Sequence, residues 1–431
     1  MKHMKDYTKK DRPVRVLQFG GGVFLRGFFD WMLQKANDAG VYDGAAVIVR
    51  SRTRGEDPMA AQHFNYTHLA RDGAHTDVTV VDCIAGSVDA AGDYEAFLKF
   101  AELSTLETIV SNTTEAGIVY ESCPRPTDVC PNSFPAKLTA LLYRRFTVGG
   151  AGLLILPCEL IERNGDILRE IVLHHARDWN LGEDFAAWVQ NACSFRNTLV
   201  DRIVSGAPAQ GDTLGLDYED ALVNTSEYFH LFVIEGEEDV RLPFAQIGLN
   251  VKWVESVETW RTVKVRILNG AHTSMIPYAM LLGIETVGDC LADERTRNHL
   301  NGCLEEILAS MDGDAAENRA YAEQVLTRFA NPYIHHLCSA ISLNSISKFR
   351  VRVLPSILAY REKTGELPSH LLFALGKLIQ FYQISTPRDS DEVVELFRTH
   401  TVAELLADTA LWGVSLADYA QEVARDASAS F

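Results

Sequence analysis

A lysine, an asparagine and a histidine stand at Lys264, Asn269 and His272, inside the run Val263-Lys264-Val265-Arg266-Ile267-Leu268-Asn269-Gly270-Ala271-His272-Thr273. Val265, Leu268 and Met275-Ile276 recur near helical spacing, so the run reads as a buried or half-buried helix. On an ideal helix Asn269 and His272 lie about 140° and about 80° from Lys264, inside one broad face, with Lys264 and His272 about 12 Å apart along the axis. An amine, an amide and an imidazole on one face form a proton-transfer set rather than a nucleophile triad. The plainer reading of the same residues is a solvated lysine, a tolerated asparagine and a hydrogen-bonded histidine, because structural networks also gather polar groups.

A second chemical signal lies near the start of the chain. Val14-Arg15-Val16-Leu17-Gln18-Phe19 reads as a buried strand, Gly20-Gly21-Gly22 follows, and Val23 to Leu33 has a helical pattern. Strand, glycine turn and helix is the context of a dinucleotide fingerprint, in which glycines let the backbone approach a pyrophosphate at the helix N-terminus. Gly20 and Gly22 fit its first two positions, but Leu25 stands where the third glycine belongs. Ala45 to Val49 reads as the second strand, where an acid for a ribose diol is usual. Arg50-Ser51-Arg52-Thr53-Arg54 follows instead, which suits either a 2′-phosphate, hence NADP, or a solvated basic turn. Val78 to Val81 and Thr108-Ile109-Val110 read as further strands. The second of these runs into Ser111-Asn112-Thr113-Thr114-Glu115, a polar cluster at the end of a strand where an open α/β sheet binds ligands.

Those signals need elements to carry them. Tyr94 to Leu103, Phe134 to Phe146 and Ile167 to Trp179 read as helices, and Gly152 to Pro157 as a buried strand. Asn164-Gly165-Asp166 is a turn signal, and Tyr228 to Glu235 a strand. Alternation of strand and helix through about the first 200 residues predicts a mostly parallel sheet covered on both faces. Beyond about Pro243, Trp260 to Leu282, Thr296 to Met311, Ala316 to Phe329, Leu354 to Arg361 and Ser369 to Tyr382 all read as helices. We place the boundary near residue 245, giving an α/β domain over 1–245 and a helical domain over 246–431.

At 431 residues the chain has room for two full cores. Its 47% hydrophobic and 23% charged content is that of an ordinary globular protein, and a net charge of −18 argues against a nucleic-acid partner. No apolar run is long enough to span a membrane, and the polar stretch Met1 to Arg15 is not a secretory signal. Eight scattered cysteines fit a reduced, cytoplasmic protein. Cys123 and Cys130 lack zinc or CxxC spacing, and no His/Glu cluster has zinc spacing, so no metal is expected. The adjacent pairs His174-His175 and His335-His336 read as structural or solvent-facing.

Several separated stretches together resemble the long-chain polyol dehydrogenase family, also called the mannitol dehydrogenase family. They are Gln18 to Arg26, Thr114-Glu115-Ala116-Gly117, Val200-Asp201-Arg202-Ile203, Lys264 to His272, Arg328-Phe329-Ala330-Asn331-Pro332 and Lys348 to Pro355. Lys-x4-Asn-x2-His is the family's active-site signature, and all three residues are present. The resemblance implies a Rossmann-type, mostly parallel sheet domain followed by a mostly helical C-terminal domain, with metal-independent hydride transfer to or from NAD. It implies cofactor contacts at Phe19, Gly20, Gly22, Phe24, Arg50, Asn112, Thr114 and Glu115, and substrate contacts at Glu159 and Asp201. Mannitol-type members carry an Asp-Asn pair after the cysteine. Here Glu159-Leu160 follows Cys158, which argues against a plain polyol and for the family's keto-hexuronate-reducing members.

The reaction this implies is reversible reduction of a keto-hexuronate to a hexonate, with Lys264 as general acid/base, Asn269 donating to the oxygen where charge develops, and His272 orienting the substrate. Lys264 has to be partly desolvated, since an amine with an ordinary pKa of about 10 is a poor proton shuttle at neutral pH. A sugar acid needs a carboxylate clamp, for which Arg350 and Arg352, with Lys348 nearby, are candidates; alternation puts the two arginines on one face if the chain is extended there. The competing readings are reduction of fructuronate or a free ketose by the same chemistry, a dinucleotide-binding sensor without turnover, and a structural protein. Oligomeric state is not legible in the chain.

Overall fold

The computed structural model describes residues 2–50, 57–113, 117–208 and 214–429. The chain divides into two compact units, Met1–Val257 and Glu258–Phe431. No helix among the described residues is long and apolar enough to cross a membrane.

The first unit is built on a six-stranded, all-parallel sheet. Its strands in chain order are β1 (Val14–Phe19), β2 (Ala45–Arg50), β3 (Ile84–Asp89), β4 (Thr108–Ser111), β5 (Leu154–Pro157) and β6 (Ser194–Phe195). They lie side by side in the order β3-β2-β1-β4-β5-β6, the doubly wound arrangement of dinucleotide-binding domains. Strand order reverses between β1 and β4, so a crevice opens at their carboxyl ends. Alternation along the strands sends Leu17, Phe19, Val47, Val49, Ile109 and Ile155 into one apolar core, and Val16, Ala46, Ile48, Val110, Leu154 and Leu156 into another. Burial on both faces is why these strands read as unbroken apolar runs.

Several details depart from the sequence reading. The strand Thr76–Val81 does not join this sheet; it forms an antiparallel pair with Tyr66–Arg71 inside a separate four-stranded sheet. The third parallel strand is β3, whose Ile84-Ala85-Gly86-Ser87-Val88-Asp89 carries too few apolar residues to announce itself. The Asn164-Gly165-Asp166 turn signal is the start of the helix Asn164–Asp178, because the Asn164 amide is buried and donates to the Pro157 and Glu159 carbonyls at 2.9 and 3.0 Å. The helix read over Val23 to Leu33 is two pieces, Val23–Gly27 and Phe29–Asp38, broken at Phe28 (φ −127°, ψ −80°). Carbonyls at the break are satisfied from outside: the Tyr66 hydroxyl donates to Arg26 at 2.8 Å and the Arg202 guanidinium to Gly27 at 2.7 Å. Gly27 is required there, since a Cβ would lie within 2.9 Å of His68, Val204 and Asn224 side-chain atoms.

The unit also holds the three-stranded sheet of Thr198–Asp201, Leu231–Glu235 and Val251–Val254. The strand that was expected from Tyr228 thus begins at Leu231.

The second unit is helical. At its centre runs Gly270–Leu281, ten of whose twelve residues are buried, because Glu294–Ser310, Ser345–Arg352 and Ser369–Ile384 pack around it. Pro277 sits inside this helix, and the Thr273 and Ser274 hydroxyls turn back onto the Asn269 and Gly270 carbonyls at 2.8 and 2.7 Å.

Candidate active site

The segment preceding that central helix has an unusual winding. Lys264–Asn269 is a π-helix, inserted between the α-helices Glu258–Val263 and Gly270–Leu281, and the Gly270 N–H reaches back to the Val265 carbonyl five residues earlier. Hydrogen bonds that span five residues wind the chain more slowly than an α-helix. The fifth residue therefore returns far closer to the first than the 140° of an ideal α-helix, and Asn269 is brought toward the face of Lys264. Three further residues of α-helix carry His272 onto the same side as Asn269. The spacing four, then two, between these residues thus matches one π turn followed by one α turn.

Arg266 fixes this winding. Its guanidinium is half-buried, and among the described residues no carboxylate hydrogen-bonds to it; Nε donates to the Ser356 hydroxyl at 2.6 Å and Nη2 to the Ser310 hydroxyl at 2.9 Å. Burial lowers its pKa. Gly270 closes the turn where a Cβ would come within 3.2 Å of the Arg352 carbonyl oxygen.

His272 is 7% exposed and its ring is framed by two others. Phe329 stacks on it at 4.0 Å between centroids and 16° between planes, while His336 meets it edge-on at 5.0 Å and 84°. Lys264 and Asn269 are half-buried. Arg352 lies beside this row, its guanidinium 3.5 Å from the Thr273 hydroxyl. Arg350 does not. The segment is the helix Ser345–Arg352, not extended chain, and residues two apart on a helix diverge by about 200°. Arg350 is exposed and runs past Gly413, where a Cβ would approach its guanidinium to 3.1 Å.

In the first unit Phe19, Gly20, Gly22 and Asn112, of the residues expected to meet the cofactor, lie at the carboxyl ends of β1 and β4. Phe19 ends β1, packed against Phe97 and Phe134. Gly20 has φ +115°, a conformation that a side chain rarely adopts, and its Cβ would lie 2.8 Å from the Asn112 carbonyl oxygen. The Asn112 N–H donates to the Phe19 carbonyl at 3.0 Å and its side chain to the Cys158 carbonyl at 2.8 Å, so the turns after β1, β4 and β5 form one rim. Gly22 has open space around it and begins the helix that carries Phe24 and Leu25. Phe24 stacks on Phe28, and Leu25 is buried; Gly27, two residues on, lets the helix pack closely on His68, Val204 and Asn224 of the four-stranded sheet. A bare backbone concavity at the carboxyl end of β1 fits a dinucleotide pyrophosphate. Arg50 ends β2 with its guanidinium 3.6 Å from the Asp89 carboxylate at the end of β3. Thr114 and Glu115, and with them Ser51, Arg52, Thr53 and Arg54, lie outside the described residues.

Glu159, read as a substrate residue, turns both carboxylate oxygens onto the turn after β4. Oε1 accepts from the Thr113 N–H and hydroxyl at 2.8 and 2.9 Å, and Oε2 from the Ser111 hydroxyl at 3.0 Å. Burial pushes its pKa up, against those hydrogen bonds. Asp201 is buried at the end of Thr198–Asp201, opposite Leu231. Deeper in the same unit, burial pushes the Asp30 carboxyl up to about 7, although Gln18 and Tyr66 donate to it at 3.4 Å.

Sequence reading missed the partners of His272. In the sequence Phe329 stands out only as part of a motif, and the His335-His336 pair reads as structural or solvent-facing. His335 is exposed, but His336 is half-buried against His272, outside any helix. Nothing along the chain links positions 272 and 336; the contact is tertiary. Among the described residues no cluster of three or more His, Cys, Asp or Glu side chains is arranged to hold a metal ion.

Comparisons with known proteins match both units. Residues 14–243 match the Mannitol dehydrogenase Rossmann domain and residues 256–429 the Mannitol dehydrogenase C-terminal domain. An altronate oxidoreductase of Halalkalibacterium halodurans is 38% identical, over 96% of this chain and 90% of its own length. One of Bacillus subtilis is 39% identical, over 94% and 89%. Among solved structures, a D-sorbitol dehydrogenase in substrate-free form superposes with a TM-score of 0.83 at 20% identity, covering 98% of this chain and 94% of that one. The Pseudomonas fluorescens mannitol 2-dehydrogenase, solved with NAD and D-mannitol, does so with a TM-score of 0.75 at 18% identity, covering 98% and 92%.

Proposed function

The chain belongs to the mannitol dehydrogenase family, and we infer that it is an NAD-dependent oxidoreductase that interconverts a keto-hexuronate and its hexonate, tagaturonate and altronate foremost. The observation that carries this reading is the π turn at Lys264–Asn269, whose slower winding argues for Lys264, Asn269 and His272 facing one side.

When bound, the nicotinamide exchanges a hydride with the substrate carbon. Gly20, Gly22 and the Asn112 turn hold the dinucleotide through backbone, with Phe19 and Phe24 beside them. In the reducing direction Lys264 gives a proton to the developing alkoxide, and in the oxidising direction the neutral amine takes the alcohol proton. Asn269 donates a hydrogen bond to the oxygen where charge grows. His272 orients the substrate, with its ring plane set by Phe329. Arg352 is the carboxylate clamp, a guanidinium being suited to a bidentate grip, and Asp201 is a further substrate contact. Glu159 acts by fixing the turn after β4. Arg50, with its charge offset by Asp89, favours a free ribose diol over a 2′-phosphate, hence NAD over NADP.

The test follows reduced-nicotinamide absorbance with tagaturonate, fructuronate and fructose in one direction and altronate and mannitol in the other. Turnover fastest on tagaturonate and altronate supports the assignment; turnover confined to fructose and mannitol would sink it.

A further inference from the structure

We propose that His336 is a substrate-contacting residue, a second imidazole set beside His272 whose ring nitrogens hydrogen-bond the sugar acid. The proposal rests on the functional reading above and extends it to a residue outside the Lys-Asn-His row.

Three observations support it. The first is place: the His336 ring stands 5.0 Å from His272, perpendicular to it, while Phe329 lies parallel to His272 at 4.0 Å. One face of His272 is thus closed by an apolar ring, and a polar ring borders it elsewhere. The second is what His336 lacks. Among the described residues its ring nitrogens have no hydrogen-bond partner, and burial alone perturbs it, lowering its pKa with no charged group contributing. Neither nitrogen is sealed from solvent, so water reaches both and a ligand group can take that water's place. The third is rigidity. The His336 carbonyl accepts from the Val287 N–H at 3.0 Å, the Cys338 N–H donates to the Glu285 carbonyl at 2.8 Å, and Leu337 bridges Thr286. The ring is carried on a segment pinned on both sides by backbone hydrogen bonds, which suits a group that must meet a ligand in one geometry.

A neutral imidazole offers one donor and one acceptor, which matches a hydroxyl of a hexonate chain or, through its N–H, a carboxylate oxygen. It adds a polar contact beside His272 that grips substrate and transition state alike, so its loss belongs in KM rather than kcat.

Three enzymes decide the matter: wild type, His336→Phe and His336→Asn. Phenylalanine keeps an aromatic edge against His272 and removes both nitrogens; asparagine keeps a donor and an acceptor. Expected for His336→Phe is a KM for altronate raised about tenfold or more with kcat within about threefold, and for His336→Asn a KM closer to wild type. A wild-type KM in His336→Phe overturns the proposal. So does a fall in kcat, with a lowered melting temperature, shared equally by both variants, since that is a structural role. If the wild-type enzyme turns over a neutral ketose and no hexuronate, the functional reading fails, and His336 is judged by the same KM comparison on that ketose. If it turns over nothing, the altronate-induced rise in melting temperature with NAD present replaces KM; its loss in His336→Phe alone supports the contact, and its retention overturns it.

Discussion

The two units make their sites by opposite means. In the sheet unit the rim at Gly20, Gly22 and Asn112 is formed by leaving side chains out, so that main chain from three turns meets at one place. In the helical unit the working groups are side chains, and the main chain contributes by its winding alone: a single π turn changes which residues share a face. The first kind of site is damaged by adding atoms, the second by removing a functional group or by letting the helix rewind. Substitutions that separate the two kinds of damage therefore test the whole picture.

The largest effect is expected at Lys264. Lys264→Ala removes the proton carrier and nothing from the glycine rim. Turnover falls by several orders of magnitude, and the rise in melting temperature on adding NAD is kept; a loss of less than about tenfold, roughly 1.4 kcal/mol, refutes the assignment. Gly20→Ala should do the reverse. Its Cβ meets the Asn112 carbonyl oxygen at 2.8 Å, on a backbone at φ +115°. We expect NAD affinity to fall by about two orders of magnitude and stability by about 1–3 kcal/mol, read by dinucleotide titration and thermal melts. If Gly20→Ala instead binds NAD normally and lowers only kcat, the division of labour between the units is wrong.

Arg266→Met is the next step down. It keeps the length of the side chain and removes both serine contacts that pin the π turn. The Lys-Asn-His residues all remain, so any loss reports on alignment. A fall in kcat of about tenfold with NAD binding unchanged is expected. Unchanged kcat would mean that the winding holds without its anchor.

How much of this was legible follows the same division. Gly20 and Gly22 were readable because a tight turn leaves a mark in residue type: a strand, a glycine cluster and a helix in succession. Lys264, Asn269 and His272 were readable as types, yet their spacing on an ideal helix spreads them over 140°, since nothing in the residues signals a π turn. What winds it is distant: Ser310 and Ser356 on other helices, and the Arg352 carbonyl over Gly270. Val78 to Val81 is legible as a strand but not as a member of a second sheet, and β3 is not legible because an edge strand of the parallel sheet needs few apolar residues. Arg350 and Arg352 were linked by an alternation that holds only in extended chain; their helix separates them. Glu159 stands out through the family resemblance, but its partners Ser111 and Thr113 come from another strand end.

The smallest effect on activity, and the one that asks whether the glycine rim rests on more than backbone, concerns Asp30. It lies fully buried behind the rim, with Gln18 donating both to it and to the Gly20 carbonyl. Burial raises its pKa to about 7 from 3.8, so between those values the folded protein holds a proton that the unfolded chain has lost. Unfolding releases that proton, and stability from this group falls as pH rises through the window. With about 1.4 kcal/mol per unit, the whole interval is worth roughly 4 kcal/mol and is complete only near pH 8. Asp30→Asn keeps an acceptor for Gln18 and Tyr66 and removes the proton. Its melting temperature should gain on wild type between pH 5 and pH 8 by several degrees, with kcat at pH 8 within about twofold. Equal pH dependence in the two proteins would show that the carboxyl is already charged in the fold, and that the rim tolerates a buried anion directly behind its glycines.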